Sequence, residues 1–450
     1  MTVNQITNSS NPNQFWEAIK TFRGCNKGTT QNNITKTEWK NYYQQIFDSH
    51  DTEQTHTSIQ PILEDAYLDE PFTLMELNQA TKKLAKNKAP GADGIPNEVW
   101  KNCTMRFKQI ILKCFNEIFE GKQFHRSWAE IIIQPIYKKG DRDIPKNYRP
   151  ISLLNTSLKL YTQLLNNRLL NWCESNNKIS IMQGGFQRKK GCAEQIFVLN
   201  SVIHHTVAVR GKELYAAFID LSGAFDSINH EKLWRRLEKK KISTKMLSTI
   251  KQIYKNATAR VKTTEGLTES FPIKKGVLQG ETMSPTLFNL FIDDLAETLD
   301  KSGTIAIRMG ALRVHILLYA DDQVLMATSP TELQKKIEIV SRDFKENDLV
   351  LNTEKTKIVV FRSGNIHPKV SFTWDNKQLE IVDTYTYLGV PMHCKMKNHV
   401  PFQHFKTKAE TAIANLNAVI RSAKLNNIEK RRYLFESMVR SIISYPNLGY

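Results

Sequence analysis

The stretch Tyr319-Ala320-Asp321-Asp322 constrains this chain more than any other. Leu317 and Leu318 precede it, and Val324, Leu325, Met326 and Ala327 follow. Two apolar runs of strand length around one acidic pair predict a hairpin with its carboxylates at the turn. Burying a carboxylate beside such strands is costly unless something compensates, and a bound cation compensates most simply. A solvated acidic turn is the competing reading, and these residues alone do not choose between the two.

A second acidic site repeats the pattern. Leu214 to Ile219 is a near-continuous apolar run, as expected of a strand covered on both faces. It ends in Asp220, with Leu221, Ser222, Gly223, Ala224, Phe225 and Asp226 behind it. The two places meet only if their strands are neighbours in one sheet. They would then supply three carboxylates and a backbone carbonyl, an oxygen set suited to Mg²⁺ that shares its remaining positions with water and phosphates. Paired metals on such a set serve in-line phosphoryl displacement. Alone, Asp220 reads better as a strand-end cap.

Lysine and arginine outnumber aspartate and glutamate 63 to 45 in the 450 residues, for a formal net charge of +18. That excess favours a polyanionic partner, nucleic acid before a membrane surface. No apolar stretch approaches the roughly 20 residues of a membrane span, and the polar N-terminus lacks a signal core. The cysteines are scattered without a C-x-x-C pair, which points to reduced residues of an intracellular protein.

Along the chain, Trp39, Tyr43 and Phe47 form a helical packing stripe, and a second helix is expected from Thr73 to Lys86. Phe107, Ile110, Ile111, Cys114, Phe115, Ile118 and Phe119 predict a helix with a buried face. Ile131 to Tyr137 reads as a strand ending in Lys138, Lys139, Gly140 and Asp141. After Arg149, set before a proline, an amphipathic helix runs to about Trp172. Lys138, Lys139 and Arg149 suit phosphate binding, although a solvated loop is the better reading of them alone. Gln183 to Gly191 is glycine-rich and basic, without P-loop spacing; a phosphate contact and a surface hairpin both fit. Ser284 is the expected N-cap of a helix with Pro285 at its first position. Gly276 and Gly280 allow close backbone approach to a ligand, with Gln279 between them able to hydrogen-bond it. A helix over Leu333–Phe344, a turn into a strand over Lys355–Phe361 and two basic helices after about Thr407 complete the reading.

Seven blocks then stand in a familiar order: NKAPGADGIP, IYKKGDRDIPKNYRPISLL, QGGFQRKKG, FIDLSGAFDSINH, GVLQGETMSPTLFNLFIDDL, LLYADDQVLMA with LNTEKTKIVVF behind it, and YTYLGV. Their order resembles the reverse transcriptases of non-long-terminal-repeat (LINE-type, jockey-like) retrotransposons, over roughly Asn87 to Val390. The resemblance implies an α+β right-hand polymerase of fingers, palm and thumb, with an antiparallel palm sheet carrying the catalytic aspartates. Its parts would be an N-terminal extension at 1–75, fingers at 76–210, palm at 211–395 and the start of a helical thumb at 396–450. It makes Asp220, Asp321 and Asp322 the metal carboxylates, with the Leu221 carbonyl a further ligand. Phe225 would lie under the sugar of the incoming nucleotide and exclude a 2′-hydroxyl. Gln279 and Gly280 would contact the nucleotide, with Lys138, Lys139 and Arg149 on its phosphates. Lys355 matches the lysine that protonates leaving pyrophosphate, and Lys357 is its near competitor.

The implied cofactors are two Mg²⁺ ions, with Mn²⁺ an alternative. The implied partners are an RNA template, a DNA primer and deoxynucleoside triphosphates, without a membrane, acting in the nucleus. Three departures stand out. Glu281 adds a negative charge beside the expected nucleotide site, and the reading further expects the usual upstream endonuclease to be absent and the thumb to stop early at Tyr450. A catalytically dead, nucleic-acid-binding remnant of such an element is the alternative at this stage. An RNA-dependent RNA polymerase is a further competitor, against which Phe225 argues.

Overall fold

Apolar runs of strand length build the central sheet of the computed structural model, which describes residues 32–49, 62–122, 126–209, 211–364 and 369–445. The remainder of the expected N-terminal extension lies outside the described residues. The first sheet is formed around β1 (Glu130–Tyr137) and β2 (Tyr148–Leu154). The central one is formed around β3 (Leu214–Ile219). In the first sheet β2 pairs antiparallel with β1, which runs parallel to β4 (Thr258–Thr263). Two short strands, β5 (Gly266–Leu267) and β6 (Phe271–Pro272), close on β4. Beyond them a small hairpin of β7 (Ile307–Met309) and β8 (Leu312–Val314) leads into β9 (Ile316–Tyr319) and β10 (Asp322–Ala327).

The central sheet adds β11 (Lys357–Phe361), β12 (Phe372–Trp374) and β13 (Lys377–Ile381), in the order β12-β13-β11-β3-β10-β9. Every neighbouring pair is antiparallel except β11 with β13. A last hairpin joins β14 (Thr384–Tyr387) to β15 (Val390–His393).

β3 lies inside this sheet, and all six of its residues are buried. Because side chains alternate across a strand, Leu214, Ala216 and Phe218 join one core with Leu317, Val324, Met326, Val359 and Phe361. Tyr215, Ala217 and Ile219 join the other, with Ile316, Leu318, Leu325, Ile358 and Val360. Each large apolar side chain so buried contributes about 1.5–3 kcal/mol.

Among the helices used below, α1 (Lys36–Phe47) buries Trp39, Tyr43 and Phe47 as expected, with Trp39 edge-on to Tyr148 of β2. α2 (Met105–Phe119) forms where expected, but its buried face is Phe115, Ile118 and Phe119; Phe107 and Ile110 are exposed. The helix expected to be amphipathic, α3 (Thr156–Ser175), is buried on most of its surface. α4 (Cys192–Val207) covers the Phe218 side of the sheet. α5 (His230–Lys239), α6 (Ser284–Ile292), α7 (Asp294–Lys301) and α8 (Pro330–Glu346) gather on the other side. The chain then leaves through α9 (His399–Ser422) and α10 (Ile428–Phe435). No helix among the described residues is long and apolar enough to cross a membrane.

Carboxylates at the start of α7 anchor this back layer. Asp294 accepts from Arg236 at 2.6 Å and Lys239 at 2.9 Å and has the Lys240 ammonium 3.1 Å away as an ion pair, while Arg236 also reaches Asp343 at 2.9 Å. Asp293 takes Lys240 and the Ser180 backbone N–H. Lys239 and Lys240, in a run that reads as a solvated basic face, are therefore tied into an ion network. Burial opposes ionisation of Asp294, but its hydrogen bonds from Lys239 and Arg236 win and hold its carboxyl down at about 2. Removing one member of such a network strands the others. Asp294→Ala is expected to destabilise the fold by about 3 kcal/mol, read as a lowered thermal midpoint. A midpoint unchanged at neutral pH would show the network to be redundant.

Candidate active site

β3 and β10 bring the two acidic places together. The register pairs Ile219 with Gln323, so Asp220, just past the end of β3, comes near Asp322, the first residue of β10. By strand alternation both lie on the Phe218–Val324 face. Ala320 and Asp321 alone join β9 to β10, whose terminal pair is Tyr319 with Asp322. The acidic pair thus sits at a hairpin turn, as read from the sequence.

The turn is strained and clamped. Ala320 has φ +54°, a left-handed conformation that costs an L-residue roughly 1–2 kcal/mol. Gln183, fully buried, holds it there: its side-chain Oε1 accepts the Ala320 N–H at 3.1 Å and the Gly185 N–H at 2.8 Å. The Gly184 N–H donates to the Leu318 carbonyl at 2.7 Å, and Leu318 donates to Met182 at 3.0 Å. Asn289 of α6 donates to the Gly185 carbonyl at 2.8 Å. The Gln183–Gly185 segment is therefore the support of the acidic turn, a role that its glycine-rich, basic composition did not reveal.

Electrostatics mark the site. Burial pushes the Asp322 carboxyl up to about 6, with the charges of Asp321 and Asp220 adding to the shift and Lys355 opposing it. Asp321 is raised by burial and by Asp220, with Lys355 and Arg149 acting against the shift. The Lys355 ammonium lies 3.1 Å from Asp220 Oδ2. Lys357 instead pairs with Glu380 at 2.6 Å, so of the two candidates Lys355 is the one at the carboxylates. The Asp220 backbone is fixed from the same loop, its N–H donating to Thr356 Oγ1 and its carbonyl accepting from Asn352. Leu221 is buried and bridged to Leu351.

Lys138, at the end of β1, feels Arg149, Lys355, Asp226 and Asp220, and its pKa is lowered first by burial. Arg149 is exposed on β2 opposite Ile136, and Lys139 is exposed in the loop after Lys138. The loop carrying Gln279 is fastened on two sides. Val277 donates to the Phe225 carbonyl and Gly276 to Ile228, both at 2.7 Å, while Gln279 accepts from Ser152 of β2, also at 2.7 Å. Gln279 Nε2 spans the Asp226 carboxylate at 3.0 and 3.1 Å. Burial raises Asp226 to about 7, against its bond from Gln279 and the charge of Lys138. No motif assigns Asp226 a role; its place six positions after Asp220 is the only sequence signal for it.

The glycines around Gln279 are tightly packed, and one expectation, the cap of α6, needs correction. A Cβ at Gly276 would lie 2.9 Å from the Asp226 carbonyl oxygen, and one at Gly280 2.8 Å from that of Ser152. Both glycines have positive φ, so the close approach they permit in this structure is to the protein's own backbone. Ser284 is not the cap of α6: it lies inside the helix and donates its hydroxyl to Glu281. Glu281 does the capping, accepting the N–H groups of Met283 and Ser284 at 2.8 Å. It is 4% exposed, and burial raises the pKa of its carboxyl while the hydrogen bonds from Met283 and Ser284 act against that rise.

Among the described residues, no group of three or more His, Cys, Asp or Glu side chains stands ready to hold a metal ion. An open set nonetheless fits a hard cation: the donors are all carboxylate oxygens, and Lys355 lies beside Asp220 as their nearby countercharge. Mg²⁺ is commonly held through one or two carboxylates plus water and substrate phosphates.

Acidic residues at the end of a central strand and on an adjoining hairpin, with a basic rim, define a phosphoryl-transfer class of site. Residues 136–392 match the model of the family described as reverse transcriptase (RNA-dependent DNA polymerase). The chain belongs to that family. It is 27% identical over 317 residues to the retrovirus-related Pol polyprotein from type-1 retrotransposable element R2 of Nasonia vitripennis, covering 68% of this chain and 30% of the relative. It is 26% identical over 400 residues to the RNA-directed DNA polymerase from mobile element jockey of Drosophila melanogaster, covering 84% and 42%. The chain thus spans less than half the length of either relative. A telomerase structure from Candida tropicalis aligns with TM-score 0.43 and 15% identity over 67% of this chain and 60% of that one. The resemblance to non-long-terminal-repeat retrotransposon polymerases is borne out by these relatives.

Proposed function

We propose that the chain is an RNA-directed DNA polymerase segment that adds deoxynucleotides to a DNA primer 3′-hydroxyl on an RNA template. The observation that carries this reading is the pairing of β3 with β10, which brings Asp220 near Asp322 with Asp321 at the adjoining turn. Two divalent cations, Mg²⁺ with Mn²⁺ as alternative, held by Asp220, Asp321, Asp322 and the Leu221 carbonyl, would supply charge stabilisation to the attacking and leaving oxygens. In this reading Lys138, Lys139 and Arg149 bind the triphosphate. Gln279, oriented by Asp226, and Gly280 contact the nucleotide, and Phe225 excludes a 2′-hydroxyl. The divisions 76–210, 211–395 and 396–450 serve as fingers, palm and the beginning of a thumb. The net charge of +18 suits a template–primer duplex bound through its phosphates. Action in the nucleus belongs to the same reading.

The purified chain, mixed with a DNA primer annealed to RNA, is expected to add deoxynucleotides in Mg²⁺ buffer. Duplex binding with no addition in Mg²⁺ or Mn²⁺ would contradict the reading and leave a binding remnant. In this reading Lys355, whose ammonium lies 3.1 Å from Asp220, hands a proton to departing pyrophosphate. Lys355→Met is expected to lower kcat about 10²-fold with KM for the nucleotide little changed. A change in KM alone would assign Lys355 to binding instead.

A further inference from the structure

Phe225 is held by other aromatics. It stacks on Phe288 of α6, ring centroids 4.6 Å apart and planes 7° from parallel. Phe186 meets it edge to face, centroids 6.1 Å apart at 84°. Such contacts add rotational restraint to the area they bury.

Phe186 is an unusual residue to find there. It is 52% exposed and has φ +54°, a combination disfavoured for a bulky aromatic on both counts. Its exposure leaves the buried cores without need of it. Yet both of its neighbours are tied down. The preceding Gly185 N–H donates to Gln183 and its carbonyl accepts from Asn289, the neighbour of Phe288 in α6. The following Gln187 donates its side-chain amide to the Gln183 carbonyl at 2.7 Å. Through Gln183 the same segment holds Ala320 beside the acidic pair. Phe186 is therefore fixed relative to both the catalytic turn and the helix on which Phe225 rests. Backbone strain retained at a pinned, exposed position signals a functional demand on that side chain.

We propose that Phe186 is a positioning residue for sugar selection: it holds the Phe225 ring in the orientation that excludes a 2′-hydroxyl. This rests on the reading of Phe225 given above. Exclusion by clash works only if the blocking ring cannot swing aside, and locking by neighbouring side chains provides that. With Phe186 removed, the Phe288 contact remains on one side only, and the ring gains room to yield to a ribonucleotide.

The test is single-nucleotide primer extension with matched deoxy- and ribonucleoside triphosphates, comparing the ratio of kcat/KM values. Phe225→Ala is expected to erode discrimination about 10²-fold, and Phe186→Ala about 10-fold. Phe186→Leu is expected to retain most of the selectivity, and the Phe186→Ala/Phe225→Ala pair to be no less selective than Phe225→Ala alone, since both act through one ring. If Phe225→Ala shifts the ratio and Phe186→Ala lowers both substrates equally, Phe186 is merely structural and this inference falls alone. If Phe225→Ala leaves the ratio unchanged, the sugar reading falls and this inference with it.

Discussion

Asp322→Asn is expected to stabilise the cation-free protein at neutral pH while reducing nucleotide addition by about 10³-fold. The two effects have one cause. Burial and the neighbouring Asp321 and Asp220 charges raise the Asp322 carboxyl to about 6, so the folded state binds this proton more tightly than the unfolded chain does. The stability associated with that proton is fully present below the ordinary carboxylate pKa near 4 and is lost as pH rises through about 6. Above that range the folded protein carries an unfavourable charge, worth about 1–2 kcal/mol after allowance for solvent screening. Asparagine keeps the shape and removes the charge. Thermal midpoints in EDTA should therefore fall for the native protein between pH 4.5 and 7.5 by more than for Asp322→Asn. Added Mg²⁺ should raise the midpoint of the native protein more than that of the variant. Parallel pH profiles, or a variant less stable at pH 7.5, would remove the argument that this hairpin stores electrostatic strain for a cation.

Gly185→Ala should be nearly as damaging to catalysis, from a residue that touches no substrate. A Cβ there would lie 2.5 Å from the Ala320 backbone nitrogen and 3.1 Å from Gln183 Oε1. The nearest obstacle is backbone, so relief requires the acidic turn itself to move, and the Gln183 hydrogen bonds that keep Ala320 left-handed would stretch with it. A displacement near 1 Å costs about 10²-fold in rate, whereas overpacking at this single point costs about 1–3 kcal/mol of stability. Gly364→Ala is the control, since nothing lies within 4 Å of a Cβ there. The expected pattern is a folded Gly185→Ala protein with kcat reduced about 10²-fold and duplex affinity retained. Unchanged kcat would show that the turn does not depend on the Gln183–Gly185 segment.

The parts legible in the sequence are those fixed by local pattern. Leu214 to Ile219, and the runs around Tyr319 to Asp322, announced strands because apolar runs of that length fit few other places, and an acidic residue at each end gave them a reason to pair. Trp39, Tyr43 and Phe47 announced their helix by spacing. What stayed hidden depends on contacts between distant segments. β2 is hard to read from sequence because an arginine before a proline suggests a break; in the structure Pro150 lies opposite Pro135, so two residues without N–H groups share one place in the ladder. Residue type alone points to Ser284 as the cap of α6, although Glu281, able to accept several N–H groups at once, outcompetes a hydroxyl. Phe107 and Ile110 matched a helical period yet face solvent, because period identifies a face but not what covers it. Gln183, Asn289 and Asp226 work through partners up to 137 positions away, and no spacing rule reaches that far. The ordered motif blocks identified the family where local physics could only balance a metal site against an acidic turn.

The central claim, that Asp220, Asp321 and Asp322 form one site for nucleotidyl transfer on an RNA template, is tested most directly by primer extension. The native chain and Asp321→Ala/Asp322→Ala would be compared at equal duplex occupancy on a DNA primer annealed to RNA, with deoxynucleoside triphosphates and Mg²⁺. The account predicts extension by the native chain and none above background by the variant, with both binding the duplex alike. Equal extension by the two proteins would contradict it.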